Sequence, residues 1–405
     1  MDRISKLPVG VIETILCLLP IQEAARTSIL SKEWRYHWIK IPKLEFIEDQ
    51  FQEWTRGPKP SAIELRLNKP SKRKDMAKRC KFFYAIYQVL LMHEGPIHEF
   101  TLSMEVDTSC VEIDHIILHL SKKNTLKMLK LDLDAGADEG HRLPISLFSL
   151  HQLTSLYLHG CALYQQRSFN EFGCLTTLNL SSIWMHKKTL HRLLSSCPLL
   201  KRLTLGHGMT ILDDGAGSTI VDLFECLPVI EYLYVVAFRV EDFLSKRLPK
   251  KLPTSLVHLK YLCVDTLCFT HIYGLPFLTL LIRSSPNLEK LKLELVMWEE
   301  MYVEDDLGSF TLDDYSDITF EHLKEFEIQG FTDSENELDF VRLILAKSPV
   351  LKKLTVFPHY FFAKDDDLSS FTLDDYLELL LCSPCASPVV EIIVGRYKSD
   401  HSCPW

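Results

Sequence analysis

Leu153-Thr154-Ser155-Leu156-Tyr157-Leu158 reads apolar, two variable, apolar, variable, apolar. Its last three residues alternate with period two, so Leu156 and Leu158 share one face of a strand and Tyr157 points to the other. The phrase begins at Ile97, Leu126, Leu153, Leu175, Leu200, Ile230, Leu259, Leu288, Leu323 and Leu351, in steps of 29, 27, 22, 25, 30, 29, 29, 35 and 28 residues. Helical patterns precede several of these strands and stop at a proline turn. Leu190 to Leu194 leads to Ser196-Cys197-Pro198, Leu278 to Ile282 leads to Ser285-Pro286, and Val341 to Leu345 leads to Ser348-Pro349. A proline forces the residue before it out of the helical region, so each helix ends there and a strand follows. One strand with one helix keeps an apolar side uncovered, and stacking on neighbours buries it. The near-constant period argues against an ordinary α/β domain with parallel strands.

The first forty residues follow a different period. Leu7-Pro8 opens a helix in which Ile12, Ile15, Leu16 and Leu19 recur at i, i+3, i+4, i+7, the spacing of one helical face. Pro20 ends it and starts a second short amphipathic segment over Ile21, Ala24, Ala25, Ser28 and Ile29. Ser31 is a candidate N-cap for a third helix carrying Trp34 and Trp38. Three short helices cannot bury all of these side chains by themselves, so the remainder must meet another surface. On pattern alone, that surface is either the following domain or a partner.

Leu7-Pro8, Ile15-Leu16, Leu19-Pro20 and Leu30-Ser31-Lys32-x-Trp34-Arg35-x-x-Trp38 together resemble an F-box of the plant type. Where that family often carries acids after the first Leu-Pro, this chain has Val9-Gly10-Val11. The period of the strand phrase mostly matches or slightly exceeds that of leucine-rich repeats. Phe320-Glu321-His322-Leu323-Lys324-Glu325-Phe326-Glu327-Ile328, the segment Glu337 to Lys347, and Ser348-Pro349-x-Leu351-Lys352-Lys353-Leu354 resemble the FBD segment that closes many plant F-box proteins.

The fold expected is α/β. A three-helix F-box (1–46) precedes a curved, uneven leucine-rich-repeat solenoid with parallel strands and outer helices (60–319). An FBD segment and C-terminal cap (320–395) closes it. Unevenness is expected because the Asn or Cys that often closes the repeat phrase is clear only at Cys161; Ile183, Gly208, Phe238, Leu267 and Val296 stand elsewhere.

The resemblance implies a substrate-recognition subunit of an SCF-type cullin-RING ubiquitin ligase, without a catalytic site of its own. A Skp-type adaptor, and cullin through it, would meet residues among Leu7, Pro8, Ile12, Ile15, Leu16, Leu19, Pro20, Leu30 and Trp34, some of which must hold the F-box together. A target protein would meet the outward strand positions, where Tyr157, Tyr232, Tyr234, Tyr261, Lys290 and Lys292 stand, tyrosine being common at binding hot spots. The rival readings are a non-catalytic scaffold outside the ubiquitin pathway and a small-molecule-sensing F-box receptor.

Composition narrows the remaining classes. Net charge is −9 with 47% apolar and 24% charged residues, which does not favour a nucleic-acid binder. No apolar run approaches bilayer length, and no secretory signal is visible, so neither a membrane nor a nucleic acid is expected as partner. The twelve cysteines are scattered, as in Cys17, Cys197 and Cys226, and read as reduced core residues of a nuclear or cytoplasmic protein. No cofactor or metal is expected. Cys382-Ser383-Pro384-Cys385 with His401 and Cys403 matches no strong zinc spacing. Asp132, Asp134 and Asp138 miss the calcium-loop spacing, and Gly215-Ala216-Gly217 lacks the third glycine of a dinucleotide loop. Arg66 to Lys81 carries eight basic residues and one acid. It is either an import or anion-binding signal or a loop and the solvated face of a helix. Residues 305–315 and 366–376 agree at ten of eleven positions, DDLGSFTLDDY against DDLSSFTLDDY; no physical reason for this near-identity is visible.

Overall fold

A computed structural model describes residues 7–32, 34–55, 72–106, 110–136, 140–164, 172–212, 219–237, 248–269, 271, 274–296, 315, 317–332, 334–359 and 373–395. The Gly215-Ala216-Gly217 segment, Asp138, His401, Cys403 and most of both acidic copies lie outside these residues. The chain forms two compact units, residues 1–189 with 208–212 and residues 190–207 with 213–405.

The first unit begins with helices α1 (Val9–Cys17) and α2 (Ile21–Arg26), which Pro8 and Pro20 precede at the N-cap positions. The expected third helix is instead two 3-10 turns, Trp34–Tyr36 and Trp38–Lys40. Ser31 still caps it: the Trp34 N–H donates to its Oγ at 3.3 Å. The segment stays short because Pro42 follows Ile41, which is already extended at φ −63, ψ 133.

The strands of this unit are β1 (Lys43–Ile47), β2 (Glu99–Glu105), β3 (Met128–Asp134), β4 (His141–Arg142), β5 (Ser155–His159), β6 (Cys161–Leu163), β7 (Thr177–Ser181), β8 (Trp184–His186) and β10 (Thr210–Leu212). A parallel ladder runs β1-β2-β3-β5-β7. Its register aligns Leu44, Phe100, Leu129, Leu156 and Leu178 in one row, all buried. A second parallel ladder, β10-β8-β6-β4, was not foreseen; strands of two or three residues are too short to show a period. Helices Lys72–Met92 and Val111–Lys123 bury Phe82, Phe83, Ile86 and Leu90, and Ile113, Ile116, Ile117 and Leu120.

The second unit carries β9 (Arg202–Leu205), β11 (Tyr232–Val236), β12 (Tyr261–Leu267), β13 (Lys290–Leu295), β14 (Glu325–Phe331), β15 (Lys353–Pro358) and β16 (Glu391–Val394), all parallel in that order. Leu203, Leu233, Leu262, Leu291, Phe326, Leu354 and Ile392 form its inner row. Helices Ile220–Glu225, Gly274–Ser284, Glu335–Lys347 and Leu373–Leu381 supply crossovers. At the end of helix Gly274–Ser284, the buried Ser284 Oγ donates to the Leu280 carbonyl and Ser285 Oγ to the Leu281 carbonyl, each at 2.7 Å. Residues 320–395 therefore add β14, β15 and β16 to the same ladder. The residues just ahead of the strands form a charged row, each donating its N–H to the carbonyl of the one before: Lys201, Glu231, Lys260, Glu289, Lys324. Lys201 pairs with Glu231 at 2.8 Å and Lys324 with Glu289 at 2.6 Å.

Gly160 follows β5 at φ +65, and a Cβ there would stand 1.5 Å from the Leu133 carbonyl oxygen of β3. The turn thus admits only glycine, on both conformational and steric grounds. Gly160→Ala should lower stability by about 2–5 kcal/mol, read as a shift of the urea midpoint.

Candidate functional site

Two surfaces carry the residues singled out by sequence. The first is the N-terminal helical segment that resembles an F-box. Ile12 and Leu16 of α1, Ile21 and Ala24 of α2, and Trp34, Trp38 and Ile39 are buried within the chain. Ile12, Leu16 and Trp34 of the predicted adaptor set therefore hold the F-box together. Ile15, Leu19, Leu30, Pro8 and Pro20 are exposed and Leu7 is half-exposed. Val9, Val11, Leu18, Ile29 and Tyr36, outside the predicted adaptor set, are also exposed. Ile29 and Leu30 have 87% and 65% of their surface in water, so the segment after α2 presents side chains that its own fold does not cover. The available signal was that Val9, Val11 and Ile15 widen the apolar surface of α1 beyond its Ile12–Leu16 stripe, a pattern that in a two-turn helix demands a second covering surface. The first turn of α1 has no acid and Pro8 supplies no side-chain cap, as Val9-Gly10-Val11 implies.

The second surface is the outward strand face. In the second unit, register places Arg202, Tyr232, Tyr261, Lys290 and Glu325 in one row, with Tyr234, Cys263, Lys292 and Glu327 in the next. Tyr232 and Tyr261 stack with centroids 4.4 Å apart and planes at 6°. Arg202 lies 5.9 Å from the Tyr232 ring and Lys290 5.9 Å from the Tyr261 ring, so cations close both ends of the stack. Lys290 pairs with Glu325 at 2.8 Å and Lys292 with Glu327 at 3.4 Å; both lysines are already engaged within the chain. Burial and nearby charge hold the Tyr261 hydroxyl well above its ordinary value. Tyr157, half-exposed, belongs to the ladder of the first unit, between Lys130 and Asn179.

Beside Tyr234 lies a cluster that sequence reasoning missed. β12 shifts register between Val264 and Leu267, and Thr266 sits at φ +55, a rare conformation for a β-branched residue. Such a bulge re-aims a side chain. Here the Asp265 carboxylate, 4% exposed, accepts from His207 Nε2 at 2.7 Å, from Thr266 Oγ1 at 3.1 Å, and from the Tyr234 hydroxyl. The carboxylate fixes the His207 tautomer with hydrogen on Nε2. Burial alone would raise the Asp265 carboxyl, but the His207 and Tyr234 hydrogen bonds outweigh it and hold it below the ordinary value. The same hydrogen bond raises His207, whose side chain is 61% exposed. Burial first, then the Asp265 charge, pushes the Tyr234 hydroxyl up. The sequence signal was an acid inside the apolar run Leu262-Cys263-Val264-Asp265; its partner His207 lies 58 residues away.

Among the described residues no group of three or more His, Cys, Asp or Glu could hold a metal ion. Cys197 is buried, Cys17 and Cys226 are half-buried, and Cys382 and Cys385 are exposed free thiols.

Comparison with known proteins meets this geometry at three places. The F-box domain model matches residues 4–45, the model described as FBD-associated F-box protein At5g56370, LRR repeats, matches 114–214, and the FBD model matches 321–356. The chain carries an F-box, leucine-rich repeats and an FBD. It is similar to the Arabidopsis thaliana F-box/FBD/LRR-repeat protein At1g13570, at 29% identity over 88% of this chain and 91% of that protein. It is also similar to the putative F-box/FBD/LRR-repeat protein At5g52460 of the same plant, at 24% over 87% of each chain. A third relative there, the putative F-box/LRR-repeat protein At3g58880, is 33% identical over 51% of this chain and 42% of its own length.

The Asp265 cluster yields a pH signature. A raised histidine adds stability fully below its unfolded value, ordinarily 6.5, and loses it as pH rises through the higher folded value. The depressed Asp265 adds stability above its ordinary 3.8 and loses it as pH falls through the folded value. Asp265→Asn should therefore cost about 1.5–3 kcal/mol near pH 6. The cost should shrink towards both acid and alkaline pH, as measured by thermal unfolding across that range.

Proposed function

We propose that this chain is the target-recognition subunit of an SCF-type cullin-RING ubiquitin ligase. The observation that carries the reading is the F-box surface, where Ile15, Leu18, Leu19, Ile29 and Leu30 are exposed although the inner stripe of the same helices is already covered. Such a patch on a short helical domain fits a protein partner, and for an F-box that partner is a Skp-type adaptor bound to cullin. The strand face, with its tyrosine stack and the His207–Asp265–Tyr234 cluster, receives the target. The chain performs no bond-making step in this reading. Holding the target near a ubiquitin carried elsewhere in the complex raises its effective concentration, and rate follows from proximity.

Binding and stability should separate cleanly between the two faces of the F-box. Leu30→Asp places a charge where an apolar contact is required and should weaken adaptor capture at least ~100-fold, with the melting temperature unchanged. Leu16→Ala opens the covered core and should cost about 2–5 kcal/mol of stability. Pull-down of adaptor and cullin by the intact chain, followed by ubiquitin-chain formation with the reconstituted complex, checks the assignment. An intact, folded chain that captures neither adaptor nor cullin would overturn it.

A further inference from the structure

The last turn of the F-box runs directly against the loop that leads into β2. The Glu94 N–H donates to the Ile39 carbonyl at 3.0 Å, and the His98 N–H to the Pro42 carbonyl at 2.8 Å. The buried His93 donates from Nε2 to the Ile41 carbonyl at 2.9 Å, since a carbonyl can only accept. A Cβ on Gly95 would stand 2.7 Å from the Lys40 carbonyl oxygen, so glycine is what lets the two backbones meet. Beside this seam, within the first unit, lies an open cleft of about 490 Å³. Sites for small ligands span about 300–1,000 Å³. The cleft is lined by Glu13 of α1, by Lys40 and Pro42 of the turn, and by Glu94, Gly95, Pro96 and His98 of the loop. Among the described residues, the side chains of Glu13, Lys40, Glu94 and His98 have no hydrogen-bond or ion-pair partner in the chain. Two carboxylates and an ammonium therefore line one cleft without pairing to each other.

We infer that this cleft binds a free basic α-amino acid, of the arginine or lysine class. Charge decides among the ligands that would fit. An α-carboxylate answers Lys40, and His98 offers a further ring N–H to it. The α-ammonium answers one glutamate and the side-chain cation answers the other. The cleft has one more acid than base among Glu13, Glu94 and Lys40, and the ligand has one more cation than anion. Pro42 and Pro96 give its methylene groups apolar walls. A diamine would answer both glutamates but set a cation against Lys40. An acidic amino acid would set a carboxylate against the glutamates. A divalent cation lacks its ligands, since among the described residues no group of three or more His, Cys, Asp or Glu could hold a metal ion. A single exposed ion pair is worth little. Affinity comes from several pairs made together on a seam already fixed by backbone hydrogen bonds, so little ordering is required on binding. None of these residues lies on the strand face that receives the target, so the cleft and the target-recognition reading stand or fall separately.

Isothermal titration of the full chain with L-arginine at low salt tests it. A one-to-one isotherm with Kd on the order of 0.1 mM is expected. Agmatine, the same guanidinium without the α-carboxylate, should bind about 10-fold more weakly, and L-glutamate should not bind. Glu13→Gln and Glu94→Gln should each weaken L-arginine binding about 10-fold, with the melting temperature of the free chain unchanged. Lys40→Met should weaken L-arginine by a similar factor and leave agmatine no weaker. Absence of saturable L-arginine binding to the parent chain overturns the inference. So does L-glutamate binding as tightly as L-arginine. Equal weakening of L-arginine and agmatine by Lys40→Met overturns it too, because the α-carboxylate would then play no part in recognition. Where a variant fails to fold, the parent's ranking of the three ligands decides alone.

Discussion

Everything in both units depends on one requirement, that each Leu-x-Leu strand find a parallel neighbour in register. A lone strand and its crossover cannot cover the inward leucines, and a slip by one residue would turn every inward side chain outward. The rows Leu44–Phe100–Leu129–Leu156–Leu178 and Leu203–Leu233–Leu262–Leu291–Phe326–Leu354 show the requirement met strand after strand. Other local features serve it. Ser284 and Ser285 bond back to carbonyls where helix Gly274–Ser284 stops and the chain turns, and Gly160 allows a β5 turn to pass against the β3 backbone.

Because the inward side of each strand is committed to the core, variation is confined to the outward residues and the bulges. The Tyr232–Tyr261 stack arises because register sets the two rings side by side on adjacent strands. The Asp265 carboxylate exists as a buried, three-fold-bonded group only because β12 gains a residue at Thr266. The ladder supplies the frame, and one irregularity in it creates a distinct chemical environment.

The strand positions were legible because their signal is periodic and local: the phrase at Leu288 becomes β13, and the phrase at Leu323 becomes β14. The F-box was legible as a set of helices, but its inner and outer residues were not separable. Ile12 and Ile15 look alike in sequence, and only the packing of α2 and the tryptophan turns covers one and leaves the other in water. The His207–Asp265 contact joins positions distant in the chain and depends on a register shift that no composition rule marks. The ladder β10-β8-β6-β4 was invisible for a simpler reason, since two or three residues carry no period.

The charged row ahead of the strands has a consequence for how such a protein can change. Lysine and glutamate alternate from Lys201 through Glu231, Lys260 and Glu289 to Lys324, one per strand. Each pair is a surface contact of small worth, yet the alternation carries parity. Deleting or inserting a single repeat within this stretch would set lysine beside lysine or glutamate beside glutamate, whereas removing two adjacent repeats would restore opposite neighbours. By this reckoning, the smallest edit between Lys201 and Lys324 that preserves the charge order is a pair of repeats; the next member of the row, Lys352, donates to the Lys324 carbonyl and already sets lysine beside lysine.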